Sequence, residues 1–308
     1  MTDLTAMRVL VAVDEQGSIS AAARALGMSQ QAVSQRVRAT EREVGARLVD
    51  RSARGSELTT TGRVVASWAA EVVEAATRFD VAVASLRGEG AAALRVAASL
   101  TVAEHLLPAW LVRLRATGVP GTQDVELTAA NSARVLELVR DGACDIGFVE
   151  TPHVPDDVRS RVVARDELVV VVAPDHPWAS RDAITGAELS AAPLVAREAG
   201  SGTRAAFEAA LAGALGADAV RTPAAQLPTT AAVRATVAAG SGPAVLSRLA
   251  VREALAAGSL VEVSVTDVAL DRPLTLVWSR SLPRVPDSAR ALARIVDEAH
   301  GPSTGGRL

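Results

Sequence analysis

A chain of 308 residues, 49% hydrophobic and 22% charged, has material for two or three compact units, each with its own core. It contains no run of 18 uncharged apolar residues and no basic-then-apolar start in MTDLTAMRVL, so neither a transmembrane helix nor a signal peptide is expected, and the cytoplasm is the expected compartment. The formal charge is −3, all 32 basic residues are arginine, and Cys144 is the single cysteine, which excludes lysine-dependent phosphate or Schiff-base chemistry and any intramolecular disulfide.

Residues 3–15 predict a first helix that buries Leu4, Met7, Val9 or Leu10, Val11 and Val13. Residues 17–42, GSISAAARALGMSQQAVSQRVRATER, then predict two short helices about a tight turn. Ser18 and Ser20 are N-cap candidates for an Ala-rich helix over 21–26, and Gly27 stops it. Ser29 caps a second helix from about Gln30 to Glu43. Val33 and Val37 mark its apolar side. Its other face offers Gln30, Gln31, Ser34, Gln35, Arg36 and Arg38, side-chain types that hydrogen-bond base edges and phosphates. Such a hairpin also occurs in ordinary helical domains, but the local charge favours nucleic acid. Between Gln16 and Ser56 seven arginines stand against three acids, a net +4 in an acidic chain. Arg51 and Arg54 lie in a following loop that reads as a wing, suited to phosphates or the minor groove.

The run GSISAAARALGMSQQAVSQRVRATEREVGARLVDR, followed by LTTTG, resembles the DNA-binding head of the LysR-type transcriptional regulators. The resemblance implies a winged helix-turn-helix over 1–58 that binds double-stranded DNA through Ser29, Gln30, Gln31, Ser34, Gln35, Arg36, Arg38, Arg51 and Arg54. The chain departs from the family where Gln31 stands for Pro, Thr40 for Leu and Val49 for Phe.

From Thr59 to about Gly88 the spacing of Val65, Trp68, Val72, Ala76, Phe79, Val83 and Leu86 predicts a linker helix with a coiled-coil seam. A seam of this length calls for a partner helix, hence a homodimer or homotetramer, whose two heads would meet two half-sites. GEGAAA at 88–93 predicts a hinge. Strands are then predicted at 93–98, 124–129, 144–149, 158–164, 167–173, 194–196, 243–246, 260–265 and 273–279. Helices are predicted at 102–116, 132–141, 201–215, 229–239, 247–257 and 287–299. The alternation predicts an α/β domain with a largely parallel sheet. Later blocks such as LELVRDGACDIGF, ELVVVVAPDHPWA and PLVAREAGSGTR are also similar to the family. They imply a two-lobed effector domain of the periplasmic-binding-protein kind over 89–300. Lobe one would hold 92–164 and 270–300, lobe two 165–269, with a flexible tail at 301–308.

Ligands in open α/β sheets sit beyond the strand ends, at helix N-termini. Four such turns carry small polar residues: Ser99 and Thr101; Asn131 and Ser132; Ser201, Gly202 and Thr203; Thr229 and Thr230. Each is also an ordinary helix-capping type, but four at one sheet edge predict a site for a small anionic effector, and the resemblance implies effector contacts at the same turns. Arg197 and Arg204 flank the third. The histidines at 105, 153, 176 and 300 show no metal spacing, so neither metal nor cofactor is expected. The alternative is an α/β enzyme acting on a small anionic metabolite, with Glu104, His105, Asp145 or Glu150 as acid–base groups and a fused helical head. No nucleophile–base spacing supports it.

Overall fold

The computed structural model describes residues 3–52, 55–87, 93–282 and 284–300. The chain divides into two compact units, Met1–Gly90 and Ala91–Leu308.

In the first unit, α1 spans Leu4–Gln16 and is capped by Asp3, whose carboxylate accepts from the Ala6 amide at 2.6 Å. Helix α2 spans Ile19–Ala25 behind Ser18, and α3 spans Gln30–Val44 behind Ser29. Gly27 turns the chain between them at φ 63°, a left-handed value that glycine adopts without strain. Strands β1 (Val49–Ser52) and β2 (Gly55–Leu58) pair antiparallel as the wing, and α4 runs over Thr60–Arg87. Val9, Leu10, Val13, Ile19, Val33, Val37, Leu48 and Ala66 form the core, whereas Leu4, Met7 and Val11 are only half-buried. Thr40 and Val49 are both buried there. The Thr40 hydroxyl donates to the Arg36 carbonyl at 3.1 Å, so a polar side chain sits in the core without an unpaired group. Glu41 accepts from the amides of Leu48 and Val49 and ties α3 to the first wing strand. Gly62 leaves no room for a side chain: a Cβ there would stand 2.1 Å from the Leu48 carbonyl oxygen.

In the second unit, β3 is Leu94–Ser99, α5 Leu100–His105, α6 Leu107–Ala116, β4 Val125–Ala130, α7 Ser132–Arg140, β5 Ile146–Val149 and β6 Val158–Val172. There follow β7 Ala183–Ile184, α8 Gly186–Ala191, β8 Val195–Arg197, α9 Gly202–Leu215, β9 Ala225–Leu227 and α10 Thr230–Ala238. Last come β10 Ala244–Ser247, α11 Arg248–Ala256, β11 Val261–Val265, β12 Asp271–Ser279 and α12 Asp287–His300.

The main sheet runs β4-β3-β5-β12-β6-β11-β7, with β10 also on β6, and β8 pairs with β9. It is mixed rather than largely parallel. β3 lies parallel to β4 and β5, but β12 is antiparallel to β5 and β6, and β10 and β11 are antiparallel to β6. The reason is the two-lobed plan. β6 carries the chain from one lobe to the other and β12 brings it back beside it. The separate strands expected at 158–164 and 167–173 are therefore one strand, with a register shift opposite Leu274/Thr275. The helix expected over 102–116 breaks at Leu106, because Pro108 has no N–H to offer the Glu104 carbonyl and its ring crowds that carbonyl, so it sits in the first turn of a new helix instead. Helix α8, with a capping box between Thr185 and Glu188, and strands β7 and β9 are elements the periodicity does not reveal. Lobe one buries Leu94, Val96, Ile146, Phe148, Leu276 and Trp278 under α6 and α12, with α7 on the other face. Lobe two buries Leu168, Val170, Val172 and Phe207 on one face, and Val169, Val171, Val233 and Leu246 on the other. The hinge expected at 88–93 falls largely outside the described residues, and the tail at 301–308 does so wholly.

Candidate functional site

On the head, Ser29 spends its hydroxyl on the Ala32 amide at 3.1 Å and fixes the start of α3. Gln30, Gln31, Gln35 and Arg38 are exposed along the helix, while Ser34 and Arg36 are half-buried. Arg36 is held by Asp3, the cap of α1, with Nη1 3.2 Å from the carboxylate. That contact orients the guanidinium before any ligand arrives. Farther along, Gln35, Arg38, Arg42 and Arg47 line a surface concavity of about 680 Å³ together with Glu41. Sequence reasoning passes over Arg42 and Arg47; their spacing from Arg38 and the loop after Gly45 are the available signal. Arg54 lies outside the described residues, as does the side chain of Arg51.

Along α4, Trp68, Val72 and Phe79 are 62%, 45% and 68% exposed, at spacings that keep them on one side of the helix. Val65 instead packs against the head core, and Ala76 is half-buried. The side chains of Val83 and Leu86 lie outside the described residues.

In the second unit three of the four polar turns meet at a charge cluster of the protein's own. Arg272, on β12, is fully buried. Its Nε and Nη2 donate to Asp166 Oδ2 at 2.9 and 2.6 Å. Nη1 donates to Glu150 Oε2 at 2.6 Å and to Thr203 Oγ1 at 2.8 Å, and Nη2 donates to Thr101 Oγ1 at 3.0 Å. Every N–H of the guanidinium has an acceptor. Ser99 makes no cap bond to its own helix; its hydroxyl donates to Glu150 Oε1 at 2.6 Å. Ser132 Oγ accepts from the Glu150 amide at 3.2 Å, and Ser247 donates to Asp166 at 3.0 Å. Glu150, Ser99, Thr101 and Ser132 come from lobe one, Thr203 and Ser247 from lobe two, so the cluster joins the lobes. Gly202 marks how closely they approach: a Cβ there would stand 2.4 Å from Ser132 Oγ and 2.9 Å from the Glu150 carbonyl carbon. Ser201 is buried beside it and makes no cap bond.

A second group lies alongside. Arg197 Nη1 donates to Thr230 Oγ1 at 3.0 Å, and its Nε and Nη2 donate to Glu198, which also accepts from Asn131 Nδ2 at 3.1 Å. Burial works against the Glu198 carboxylate, but the Arg197 guanidinium and the Asn131 amide outweigh it and hold its pKa below the usual range. Thr229 differs from the rest. It is exposed, and its hydroxyl only caps α10 through the Ala232 amide. Arg204, expected beside the site, pairs instead with Glu208 and Gln226. Arg272, Asp166 and Ser247 escape sequence reasoning. The signal is an arginine at the head of the mostly apolar strand DRPLTLVW, and one acid pair between two valine-rich stretches.

The residues of the enzyme alternative do not assemble. His105 lies against Glu104 at 3.8 Å, Asp145 pairs with Arg95 at 2.7 Å, and Glu150 is bound within the Arg272 cluster.

Comparison with known proteins bears on both units. The family model described as "Bacterial regulatory helix-turn-helix protein, lysR family" matches residues 4–63, and "LysR substrate binding domain" matches 87–300. An uncharacterised HTH-type transcriptional regulator of Mycobacterium tuberculosis is 47% identical over 283 residues, covering 90% of this chain and 91% of the relative. Among solved structures, full-length CbnR complexed with its target DNA aligns with a TM-score of 0.68 at 20% identity, over 96% of this chain and 99% of that one. The regulatory domain of CcmR from Synechocystis PCC6803, in complex with 2-PG, aligns with a TM-score of 0.58 at 20% identity, over 68% of this chain and 98% of that one. A helix-turn-helix head with an exposed polar second helix, joined to a two-lobed α/β domain, is thus matched in sequence along nearly its whole length: the chain belongs to the LysR family of DNA-binding transcriptional regulators.

Proposed function

We propose that this regulator reads a two-fold DNA operator as a homodimer or homotetramer and adjusts its DNA contacts when a small anionic effector enters between the lobes. In this reading 1–58 is the DNA-binding head, 59–88 the dimerising linker and 89–300 the effector domain. Its workplace is the cytoplasm, where the DNA is. No helix among the described residues is long and apolar enough to cross a membrane.

The observation that carries the effector half is the convergence of buried hydroxyls from both lobes on the buried Arg272–Glu150 pair, with Thr230 on Arg197. Ser99, Thr101, Ser132, Thr203 and Thr230 are each at most 6% exposed, and four of them touch Arg272, Glu150 or both. A polar site shielded from water strengthens each charge-assisted hydrogen bond. The shared fold with the CcmR domain solved with 2-PG supports a small-molecule ligand. For a ligand to act, the two states of the regulator must bind it unequally, and a cluster that bridges the lobes makes lobe closure the variable.

The test is a thermal-shift screen of small carboxylates, sulfur and phosphorus oxyanions and amino acids, followed by calorimetry of the hit on wild type and Thr203→Val. Removing one hydroxyl from an anion's hydrogen-bond shell costs on the order of 1.5–3 kcal/mol, or roughly ten- to hundredfold in affinity. Ligand-free DNA binding should persist in the variant. Equal affinities would remove Thr203 from the site, and a neutral apolar hit would overturn the anion assignment.

A further inference from the structure

Arg272 is paired with two carboxylates that differ in how they are held. Asp166 is its direct partner in the β6–β12 register and is fixed on its other oxygen by Ser247. Glu150 stands one residue past the end of β5, where the sheet gives way to the segment leading to β6. From there its carboxylate takes one oxygen to Ser99 and the other to Arg272 at 2.6 Å, within 3.5 Å of the Thr203 hydroxyl. Two oxygens, one guanidinium and two hydroxyls are what a bound carboxylate or small oxyanion would itself use.

We propose that Glu150 is a built-in anion that holds the effector position, and that an effector binds by displacing this side chain. The inference rests on the anionic-effector reading above and adds the competitor to it. Charge supports exchange over addition. Arg272 with Asp166 and Glu150 already carries a net −1, so a further anion beside them meets repulsion in a buried setting. An anion in place of the Glu150 carboxylate leaves the local charge unchanged for each unit of charge exchanged. A tethered carboxylate is present at a high effective concentration, so the apparent affinity for a free anion falls by the fraction of time the position is filled. Glu150 thereby sets the concentration at which the regulator responds, and it selects ligands that accept from Ser99 and Arg272 together.

The experiment is calorimetric titration of the full-length protein with sodium sulfate and sodium acetate at constant ionic strength, with acetamide as the neutral control. Wild type, Glu150→Gln and Glu150→Ala are compared, and circular dichroism confirms that each is folded. Glu150→Gln keeps the volume of the side chain but removes its charge and puts an NH2 donor in place of one acceptor oxygen; Glu150→Ala removes its reach. Both variants should bind at least one of the two anions ten times or more as tightly as wild type, and Thr203→Val added to Glu150→Gln should cancel most of the gain. Equal anion affinity in wild type and both variants overturns the competitor role while leaving the effector reading standing. No anion binding in any of the three, or equal binding of acetamide, overturns both.

Discussion

At the scale of single residues, the chain separates groups that do chemistry from groups that merely resemble it. Cys144 belongs to the second kind. It is buried at 4% exposure, and burial, with the Asp145 carboxylate next to it, pushes the thiol up to about 12. A thiol with that pKa is ionised to only about one part in ten thousand at pH 8, and the thiolate is the reactive form. Native protein should therefore resist iodoacetamide at pH 8 under conditions that label the urea-unfolded chain fully, and operator affinity should be unchanged by hydrogen peroxide. Rapid stoichiometric alkylation of the native protein would contradict this. Hydroxyls sort in the same way. Thr229 and Ser29 are caps, using their oxygen on the first turn of their own helix. Ser99 has the same N-cap position and extended backbone but sends its hydroxyl to Glu150. Sequence cannot tell these apart, because the difference lies in a partner 51 residues away.

At the scale of elements, α4 makes the clearest demand. Trp68, Val72 and Phe79 present aromatic and aliphatic surface to solvent from one side of a helix, a patch that isolated domains rarely leave open. The proposed seam covers it with the same helix of a second copy. Phe79→Asp would then bury a charge against an apolar stripe, at a cost of several kcal/mol. Size-exclusion chromatography with light scattering should show the wild type as a dimer or tetramer and the variant shifted toward monomer; a variant that keeps its full oligomeric mass would move the interface elsewhere. Much of the element inventory was legible. The caps Ser18 and Ser29, the turn at Gly27 and the apolar periodicity act locally, so the boundaries of α2, α3, α7, α10 and α11 follow from neighbouring residues. What failed was non-local. Arg165-Asp166 reads as a break between two strands, yet Asp166 stays in β6 because Arg272 meets it across the sheet. The mixed sheet direction was hidden for the same reason, since it follows from the chain crossing twice between lobes.

At the scale of the whole molecule, the two units answer two different physical problems. The head must remain polar and cationic on one face while burying a small core, and it does so by keeping glutamine and arginine on the outer face of α3 and threonine and valine beneath it. On the proposed effector mechanism, the second unit holds two lobes together reversibly. A buried ion cluster suits that purpose better than an apolar seam, because it is stable only while its partners are matched and so responds to a competing charge. The central claim is that α3 reads DNA, and fluorescence anisotropy with labelled duplexes tests it most directly. The duplexes are a fragment from upstream of the regulator's own gene and a scrambled sequence of equal length, each titrated across a salt series. Wild type should prefer the upstream fragment, with affinity falling linearly in log salt. Arg38→Ala should weaken binding to both duplexes and reduce the salt slope by about 0.9, because one phosphate fewer is neutralised. Gln35→Ala should weaken binding by roughly 1–3 kcal/mol on the upstream fragment alone. If both variants bind both duplexes as wild type does, α3 is not the reading helix.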